Sequence, residues 1–217
     1  MMFMLHCLKL NLQSKNMAPN PFKHAKFLKS SPTVKLLPDD SGIEVAFAGR
    51  SNAGKSSALN CLTESKNLAR TSKTPGRTQL INLFTLTDEN HRLVDLPGYG
   101  YAKVSLQVKE DWQKNLAHYF EARKCLQGLV LLTDIRHPMK EQDQMMLDWA
   151  ITRGLPVHIL LSKSDKISKS AMCSMVNKVK NHYRNFENLV SVQAFSSLKK
   201  QGVAELITKL NFWYDYS

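Results

Sequence analysis

The chain has 217 residues, of which 43% are hydrophobic, enough for the core of one domain, so disorder along its whole length is excluded. No stretch reaches the roughly 18–20 apolar residues that cross a bilayer, which excludes an integral membrane protein. The net charge of +12 attracts polyanions, and nucleic acid is the commonest polyanion of a cytosol.

The basic residues are concentrated in two stretches. Residues 1–38 contain six lysines and no acid, and residues 166–200 contain seven bases against Glu187 alone. We expect these stretches to contact RNA, with an ordinary solvated surface as the alternative. The cysteines are far apart and form no CxxC pair, which argues against a disulfide framework or zinc site and favours a reducing compartment (Cys7, Cys61, Cys125 and Cys173). We therefore expect a cytoplasmic protein without a membrane partner, and a monomer.

In chain order, residues 1–40 are predicted to form a basic arm that is partly extended, and residues 41–217 to form one domain that carries the motifs described below. The arm is rich in proline (Pro19, Pro21, Pro32 and Pro38), which favours extended chain. A short helix is predicted within it at Lys23–Leu28.

Six apolar runs in the domain predict strands: Ile43–Ala48, Leu80–Leu86, Arg92–Leu96, Gly128–Thr133, Pro156–Leu161 and Val190–Phe195. Helix-length stretches lie between them: Lys55–Thr63, Leu106–Cys125, Glu141–Arg153, Lys169–Phe186 and Gly202–Trp213. The second and third runs are joined by a turn too short for anything but an antiparallel hairpin. We predict an α/β fold: a mostly parallel six-stranded sheet with one antiparallel hairpin strand, helices on both faces, and ligands at the carboxyl ends of the strands.

A phosphate-binding loop follows the first predicted strand. Residues 49–56, GRSNAGKS, fit the pattern GxxxxGK[ST]. Glycines let backbone N–H groups approach phosphate oxygens, Lys55 brings a positive charge to the β- and γ-phosphates, and the Ser56 hydroxyl can bind Mg²⁺. The alternative is a glycine turn that merely caps a helix, which the strand-to-helix position disfavours.

The third predicted strand ends in DLPG, residues 95–98. Asp95 can accept a hydrogen bond from a Mg²⁺-bound water, and Gly98 can offer its N–H to the γ-phosphate. The loop 69–79 between these motifs is rich in Thr, Ser and bases, and one of its hydroxyls could complete the Mg²⁺ shell only while the γ-phosphate is present. We choose Thr78, with Thr74 as the alternative.

The fifth predicted strand is followed by SKSD, residues 162–165. A carboxylate at Asp165 can accept the two N–H donors of guanine, a pair that adenine lacks. The alternative is a solvated polar turn. After the last strand, Phe195, Ser196 and Ser197 offer hydroxyls and N–H groups for guanine O6.

With these motifs in place the chain resembles the EngB (YihA/YsxC) family of bacterial GTPases that assist ribosome assembly. The resemblance rests on FKHAKFLKSSP, GRSNAGKSS, KTPGRTQLIN, DLPGYGYAKV, DIRHPMKEQD, SKSD and FSS. It implies a P-loop GTPase fold, GTP hydrolysis with Mg²⁺ held by Ser56 and Thr78, a role with the large ribosomal subunit, and a need for the protein in normal cell division and septation. The family usually has Thr where Ser162 stands, and residues 1–16 have no counterpart in its pattern.

The predicted GTP-binding residues are Gly49, Arg50, Ser51, Asn52, Ala53, Gly54, Lys55, Ser56, Gly76, Arg77, Thr78, Gln79, Leu80, Asp95, Leu96, Pro97, Gly98, Ser162, Lys163, Ser164, Asp165, Phe195, Ser196 and Ser197.

The position that holds a water-orienting glutamine in many GTPases is Tyr99 here, so we expect slow intrinsic hydrolysis. Asn52 is a candidate K⁺ ligand, because related GTPases with Asn at this position bind K⁺; equally, its side chain could stabilise its own turn. Asp134 and His137 could pair as acid and base, but their place beside a helix start favours a structural role.

The favoured function is a GTPase switch. The alternatives are a P-loop RNA-binding protein with little hydrolysis and a P-loop ATPase or kinase. The intact Lys55, Ser56 and Asp95 argue against the first alternative, and SKSD argues against the second.

Overall fold

The computed structural model describes residues 20–69, 80–100 and 106–216. This part of the chain contains seven strands: β1 (Lys26–Ser31), β2 (Ile43–Gly49), β3 (Ile81–Thr85), β4 (His91–Asp95), β5 (Leu126–Asp134), β6 (Val157–Ser162) and β7 (Val190–Ala194). It also contains five α-helices: α1 (Lys55–Leu62), α2 (Leu106–Ala122), α3 (Glu141–Thr152), α4 (Lys169–His182) and α5 (Val203–Trp213). No helix in the described ranges is long and apolar enough to cross a membrane.

The strands form one sheet in the order β1-β3-β4-β2-β5-β6-β7. β3 runs antiparallel to both of its neighbours, and the other neighbouring pairs are parallel. The predicted α/β fold, with a mostly parallel sheet and one reversed hairpin strand, is confirmed. All six predicted strands are present, but the sheet is one strand wider than predicted because the arm contributes β1.

The prediction of a short helix at Lys23–Leu28 is wrong. A single 3₁₀ turn covers Pro21–His24, and β1 begins at Lys26. Pro21 suits the start of such a turn, and the Asn20 side chain caps it by accepting the Phe22 N–H at 3.1 Å. The chain then pairs with the edge of β3, whose backbone groups satisfy those of β1, which a short isolated helix could not achieve.

The sheet is covered on both faces because its central strand is apolar on both. Along β2, Val45 and Phe47 belong to one hydrophobic cluster, and Ala46 and Ala48 belong to the other. The first cluster includes residues of α1 and α5, and the second includes residues of α2, α3 and α4. Phe22 of the arm is fully buried in the first cluster, with its ring centroid 5.8 Å from that of Tyr214.

A buried ionic cluster lies at the amino end of the sheet. The Glu44 carboxylate has no exposed surface and accepts hydrogen bonds from Arg92 Nε at 3.0 Å, from Arg123 Nη2 at 2.7 Å and from the Tyr119 hydroxyl at 3.2 Å. Arg123 also donates to the Pro38 carbonyl at 2.7 Å, and Arg92 donates to the carbonyl of residue 41. The cluster therefore fastens the end of the arm to β2, β4 and the end of α2.

Candidate nucleotide-binding site

The predicted phosphate loop lies between β2 and α1, at the carboxyl end of the central strand. A side chain at Gly49 would place its Cβ 2.8 Å from the Leu132 carbonyl oxygen, so only glycine fits there. Gly54 has φ +94, and Asn52 has φ 64, a left-handed conformation that asparagine tolerates better than most residues. The Ala53 N–H donates to the Arg50 carbonyl at 2.9 Å, which closes the turn.

The DLPG segment lies beside this loop. Asp95 ends β4 in register with Phe47 of β2, and the Leu96 N–H donates to the Phe47 carbonyl at 3.0 Å. Lys55 Nζ donates to Asp95 Oδ1, and both side chains are largely buried. The structure therefore brings together the lysine and the carboxylate that the sequence assigned to the phosphates and to Mg²⁺. Pro97 and Gly98 follow as partly exposed residues.

Tyr99 points into the core. Its side chain is only 2% exposed and packs on Trp112, with the ring centroids 5.2 Å apart. Its hydroxyl donates to Asp143 Oδ1 at 2.7 Å, and its carbonyl accepts the Ser51 N–H at 2.7 Å. The residue at the glutamine position thus holds the phosphate loop against the core through its backbone, while its side chain does not face the loop.

Asp143 is a site residue that the sequence reasoning missed. It is fully buried near the start of α3 and accepts hydrogen bonds from the Thr133 hydroxyl at 2.9 Å and from the Lys140 N–H at 3.1 Å, besides that of Tyr99. Burial raises the pKa of this carboxyl, although the hydrogen bonds act in the opposite direction. The only available sequence signal was an acid at the third position of a helix, which is typical of a cap.

The SKSD motif turns after β6. The Ser162 hydroxyl is buried and donates to the Ala53 carbonyl at 2.6 Å, so it connects this motif to the phosphate loop. This contact needs only a hydroxyl, which Ser162 shares with the Thr usual in the family. Lys163 has φ 59, and its Nζ lies 3.0 Å from Asp134 Oδ2.

Asp165 is oriented by the segment after β7. The Ser196 hydroxyl donates to Asp165 Oδ1 at 2.6 Å, and this hydrogen bond holds the pKa of the Asp165 carboxyl below its usual range. Phe195 is buried, and its carbonyl accepts the Ser164 N–H at 3.1 Å. The predicted base-binding residues of the two motifs therefore lie together.

Gln201 is a second residue that the sequence reasoning missed. It forms an antiparallel bridge with Ser196, with both backbone hydrogen bonds at 3.1 Å, and the Ser164 hydroxyl donates to its side-chain oxygen at 3.1 Å. Ser197 follows, partly buried, and its carbonyl accepts from the Cys61 thiol of α1 at 3.7 Å. Gln201 thereby fixes the loop that carries Ser196.

Asp134 and His137 do not form an acid–base pair. Both Asp134 oxygens accept from the Arg136 guanidinium, at 2.9 and 2.7 Å, which holds the Asp134 pKa far below its usual range. The His137 N–H donates to the Asp134 carbonyl at 3.0 Å, a backbone turn.

A cavity of about 300 Å³ lies between residues 50–53, the end of β5 and Lys163.

The loop between α1 and β3 is described only at its ends. Asn60 of α1 holds Ala69 in both directions, accepting its N–H at 2.8 Å and donating to its carbonyl at 3.0 Å. Leu80 directly precedes β3. The predicted contacts at Gly76, Arg77, Thr78 and Gln79, and the alternative Thr74, lie outside the described residues.

Comparison with known proteins gives consistent matches. The model of the family described as "50S ribosome-binding GTPase" matches residues 44–163. A protein of Haemophilus influenzae (strain PittEE), described as a probable GTP-binding protein EngB, is 56% identical over 188 residues, which cover 87% of this chain and 91% of that protein. An Enterobacter protein (strain 638) of the same description is 56% identical over 194 residues, which cover 89% and 93%.

Among solved structures, the crystal structure of a probable GTP-binding protein engB aligns with a TM-score of 0.64 at 22% identity. The alignment covers 80% of this chain and 100% of that one. At this identity the structural similarity supports the fold alone, and it agrees with the predicted P-loop GTPase fold.

Proposed function

The chain belongs to the EngB family of GTP-binding proteins and is a GTP hydrolase, and from this premise we propose that it acts as a nucleotide switch in assembly of the large ribosomal subunit. The observation that carries the proposal is the pair of direct contacts from the phosphate loop to residues 95–99, Lys55 to Asp95 and Ser51 to Tyr99. Since the γ-phosphate is the group that differs between GTP and GDP, a loop tied to this segment at two points can transmit its loss.

Guanine selection is assigned to Asp165. Its carboxylate is prepared for two N–H donors because the Ser196 hydroxyl fixes its orientation at 2.6 Å. A base without that donor pair would leave the carboxylate unsatisfied. This assignment argues against the alternative of an ATPase or kinase, and family membership argues against a plain RNA-binding protein with little hydrolysis.

Mg²⁺ fits the residues present. Ser56 lies in the first turn of α1, next to Lys55, whose partner Asp95 brings a carboxylate to the same edge of the sheet. Within the described residues no cluster of three or more His, Cys, Asp or Glu side chains exists, which suits an ion held mainly by hydroxyl groups, water and substrate phosphates. We propose that Ser56, with Thr78, binds Mg²⁺, which when bound neutralises charge that develops on the phosphates.

Slow intrinsic turnover follows from the position of Tyr99. Its side chain is directed to Asp143, so no amide is offered to an attacking water at this position. In other GTPases an arginine supplied beside the phosphates raises the rate by about 10³–10⁵-fold, and we propose that a cation acts at the same place here. Asn52 is exposed at the top of the loop and remains the proposed K⁺ ligand, while its left-handed backbone supports a role in the turn as well.

The proposed partner is ribosomal RNA and protein of the large subunit. The seven bases between residues 166 and 200 are all exposed (Lys166, Lys169, Lys178, Lys180, Arg184, Lys199 and Lys200). Such a surface suits a polyanion. We also propose that the protein works as a monomer in the cytoplasm and that normal cell division and septation depend on it through ribosome supply.

Co-sedimentation with isolated large subunits tests the switch. The chain loaded with a non-hydrolysable GTP analogue should pellet with the subunit more than the GDP form, and both should lose binding steeply as salt rises, because phosphate contacts release counterions. Equal pelleting of the two nucleotide forms at both salt concentrations would contradict the proposal. Small subunits at the same concentration provide the control.

A further inference from the structure

The strand β1 carries exposed basic and aromatic side chains on an open edge of the sheet. Its only strand neighbour in the described part of the chain is β3. Lys26, Phe27, Leu28 and Lys29 are all exposed, and Phe27 is 59% exposed. The pairing register shifts between Phe27 and Lys29, so Leu28 bulges out of the ladder.

The charge along this edge has one sign. Residues 20–38 contain no acid. Among the described residues Lys23 pairs with Glu64 at 3.1 Å, but no carboxylate lies within ion-pair distance of Lys26, Lys29 or Lys35. Uncompensated lysines in a row attract a phosphate backbone.

Edge lysines also deter edge-to-edge association of sheets, and this is the simpler explanation of the charge. It does not explain the apolar side chains between them. A strand that only had to avoid association would not expose Phe27 and Leu28, because exposed apolar residues on an edge promote the association that the lysines oppose. The exposure of Phe27 and Leu28 between lysines therefore needs a further explanation.

The Phe27 ring is held in place. It lies opposite Phe84 of β3 in the ladder, with ring centroids 6.0 Å apart and planes at 71°. Phe84 is 2% exposed, so the contact anchors one edge of the Phe27 ring in the core while more than half of the residue stays in water. The pairing register places Lys26 opposite Thr85 and Lys29 opposite Leu83, so the two lysines flank the ring along the strand from the other face of the sheet. A strand of RNA that follows the open edge can reach both faces, and anchored aromatic rings with nearby bases are what single-stranded nucleic acid sites use for stacking.

We propose that the outer edge of β1 binds single-stranded RNA, with Lys26 and Lys29 contacting phosphates and Phe27 stacking on a base. The proposal rests on the proposed function for the source of the RNA, an unpaired segment of the large-subunit RNA. The contacts themselves are sequence-independent, because every base has a π-face and every nucleotide a phosphate.

A second surface gives a matched control. A cavity of about 770 Å³ lies between α4, β7 and α5 and is bordered by Phe212, which is 75% exposed. Its bases are Lys180, Arg184 and Lys209, and its acids are Glu187 and Glu205. Lys209 and Phe212 lie outside the basic stretch 166–200, and mixed charge does not favour a polyanion, so substitutions at these two residues should leave RNA binding unchanged.

The test is fluorescence anisotropy of the full chain, loaded with GDP, against a labelled single-stranded RNA of mixed sequence. Phe27→Leu keeps the apolar contact with Phe84 but removes the ring, and should weaken binding by about 5- to 100-fold. Lys26→Ala combined with Lys29→Ala should make the slope of log K against log salt shallower by about 1.4, since each phosphate contact to a single strand contributes about 0.7. Phe212→Leu and Lys209→Ala are the controls.

Equal losses at the β1 edge and at the control surface would overturn the proposal, as would tighter binding of a duplex than of the single strand. Wild-type affinity in both β1 variants would do the same and would favour a protein partner on the edge. Nucleotide binding by each variant confirms that it is folded. If the β1 variants keep RNA affinity while nucleotide-dependent pelleting with large subunits persists, this inference fails and the proposed function stands. If pelleting with large subunits does not depend on the nucleotide but the β1 variants lose RNA affinity, the proposed function fails and this inference stands.

Discussion

Buried carboxylates at the two ends of the sheet have different hydrogen-bonding partners. Glu44 at the amino end and Asp143 near the carboxyl end are both fully buried. Glu44 is surrounded by the guanidinium groups of Arg92 and Arg123, so its charge is neutralised in place. Asp143 receives hydrogen bonds from two hydroxyls and one backbone N–H, none of which carries a charge.

The difference separates a structural cluster from a functional one. A carboxylate with two buried arginines cannot lose its charge without leaving two cations unpaired, which makes the amino end a fixed anchor. Burial destabilises the charged form of a carboxylate that accepts hydrogen bonds only from neutral donors, and it raises the pKa of Asp143. The nucleotide-binding motifs lie at this carboxyl end of the sheet, and Arg50 of the phosphate loop acts on the Asp143 carboxyl in the opposite direction to burial.

The largest expected effect is on the anchor. Glu44→Gln leaves Arg92 and Arg123 buried without a counter-charge and should lower the free energy of unfolding by about 3–5 kcal/mol. Asp143→Asn removes no ion pair and should cost less, about 1–3 kcal/mol, because the Lys140 N–H then faces an amide N–H. Urea unfolding of both variants measures the difference. Equal losses would mean that the two ends do not differ in the way the contacts indicate.

The next effect concerns a histidine at the amino end. Burial, only partly offset by the hydrogen bond to Gln193, lowers the pKa of His158 to about 4. The neutral ring is favoured in the folded chain, so its contribution to the free energy of unfolding is complete above pH 6.5. About 3 kcal/mol of this free energy is lost as the pH falls from 6.5 through 4. The pH dependence of unfolding in wild type and His158→Gln should diverge in this window, and parallel curves would refute the assignment.

At the carboxyl end, Asp165→Asn should weaken GTP binding by about 1.5–3 kcal/mol, because a charge-assisted pair is lost, and should improve binding of xanthosine triphosphate. The free energy of unfolding without nucleotide should change little, in contrast to Glu44→Gln. Titration calorimetry with both nucleotides measures the exchange of preference. Unchanged affinities would remove Asp165 from the base site.

The smallest effect is expected at Tyr99. Tyr99→Phe removes the hydrogen bond to Asp143 and keeps the ring on Trp112, so we expect a loss of about 1 kcal/mol in the free energy of unfolding. The backbone contact to Ser51 is retained, so GTP affinity should stay near that of wild type. A large loss of GTP affinity would show that the side chain, and not only the backbone, supports the phosphate loop.

The motifs of the site could be predicted because each is contiguous in sequence and its position after a strand fixes where it lies. Lys55, Asp95 and Asp165 all follow apolar runs, and parallel strands bring their carboxyl ends to one edge. Asp143 and Gln201 could not be predicted, because they act on Tyr99 and Ser164, which are distant in sequence and become neighbours only in the folded sheet.

The strand β1 was missed for a related reason. Its residues alternate poorly between apolar and polar, and its pairing with β3 spans more than fifty residues, as the contact from Ser30 to Asn82 illustrates. Whether such a segment forms an edge strand depends on the neighbouring strand with which it pairs, and its local propensity for a short helix does not determine this. The prolines favoured extended chain, but they gave no sign that part of it would join the sheet.

The burial of Phe22 against Tyr214 has a consequence for biosynthesis. Phe22 is translated early and Tyr214 late, yet the two rings share one hydrophobic cluster. The central strands can pair while the polypeptide is still being made, but Phe22 acquires Tyr214 as a packing partner only after α5 has been synthesised. Burial of the Phe22 ring is therefore completed only after the C-terminal residues have been synthesised, although β1 can pair with β3 before then.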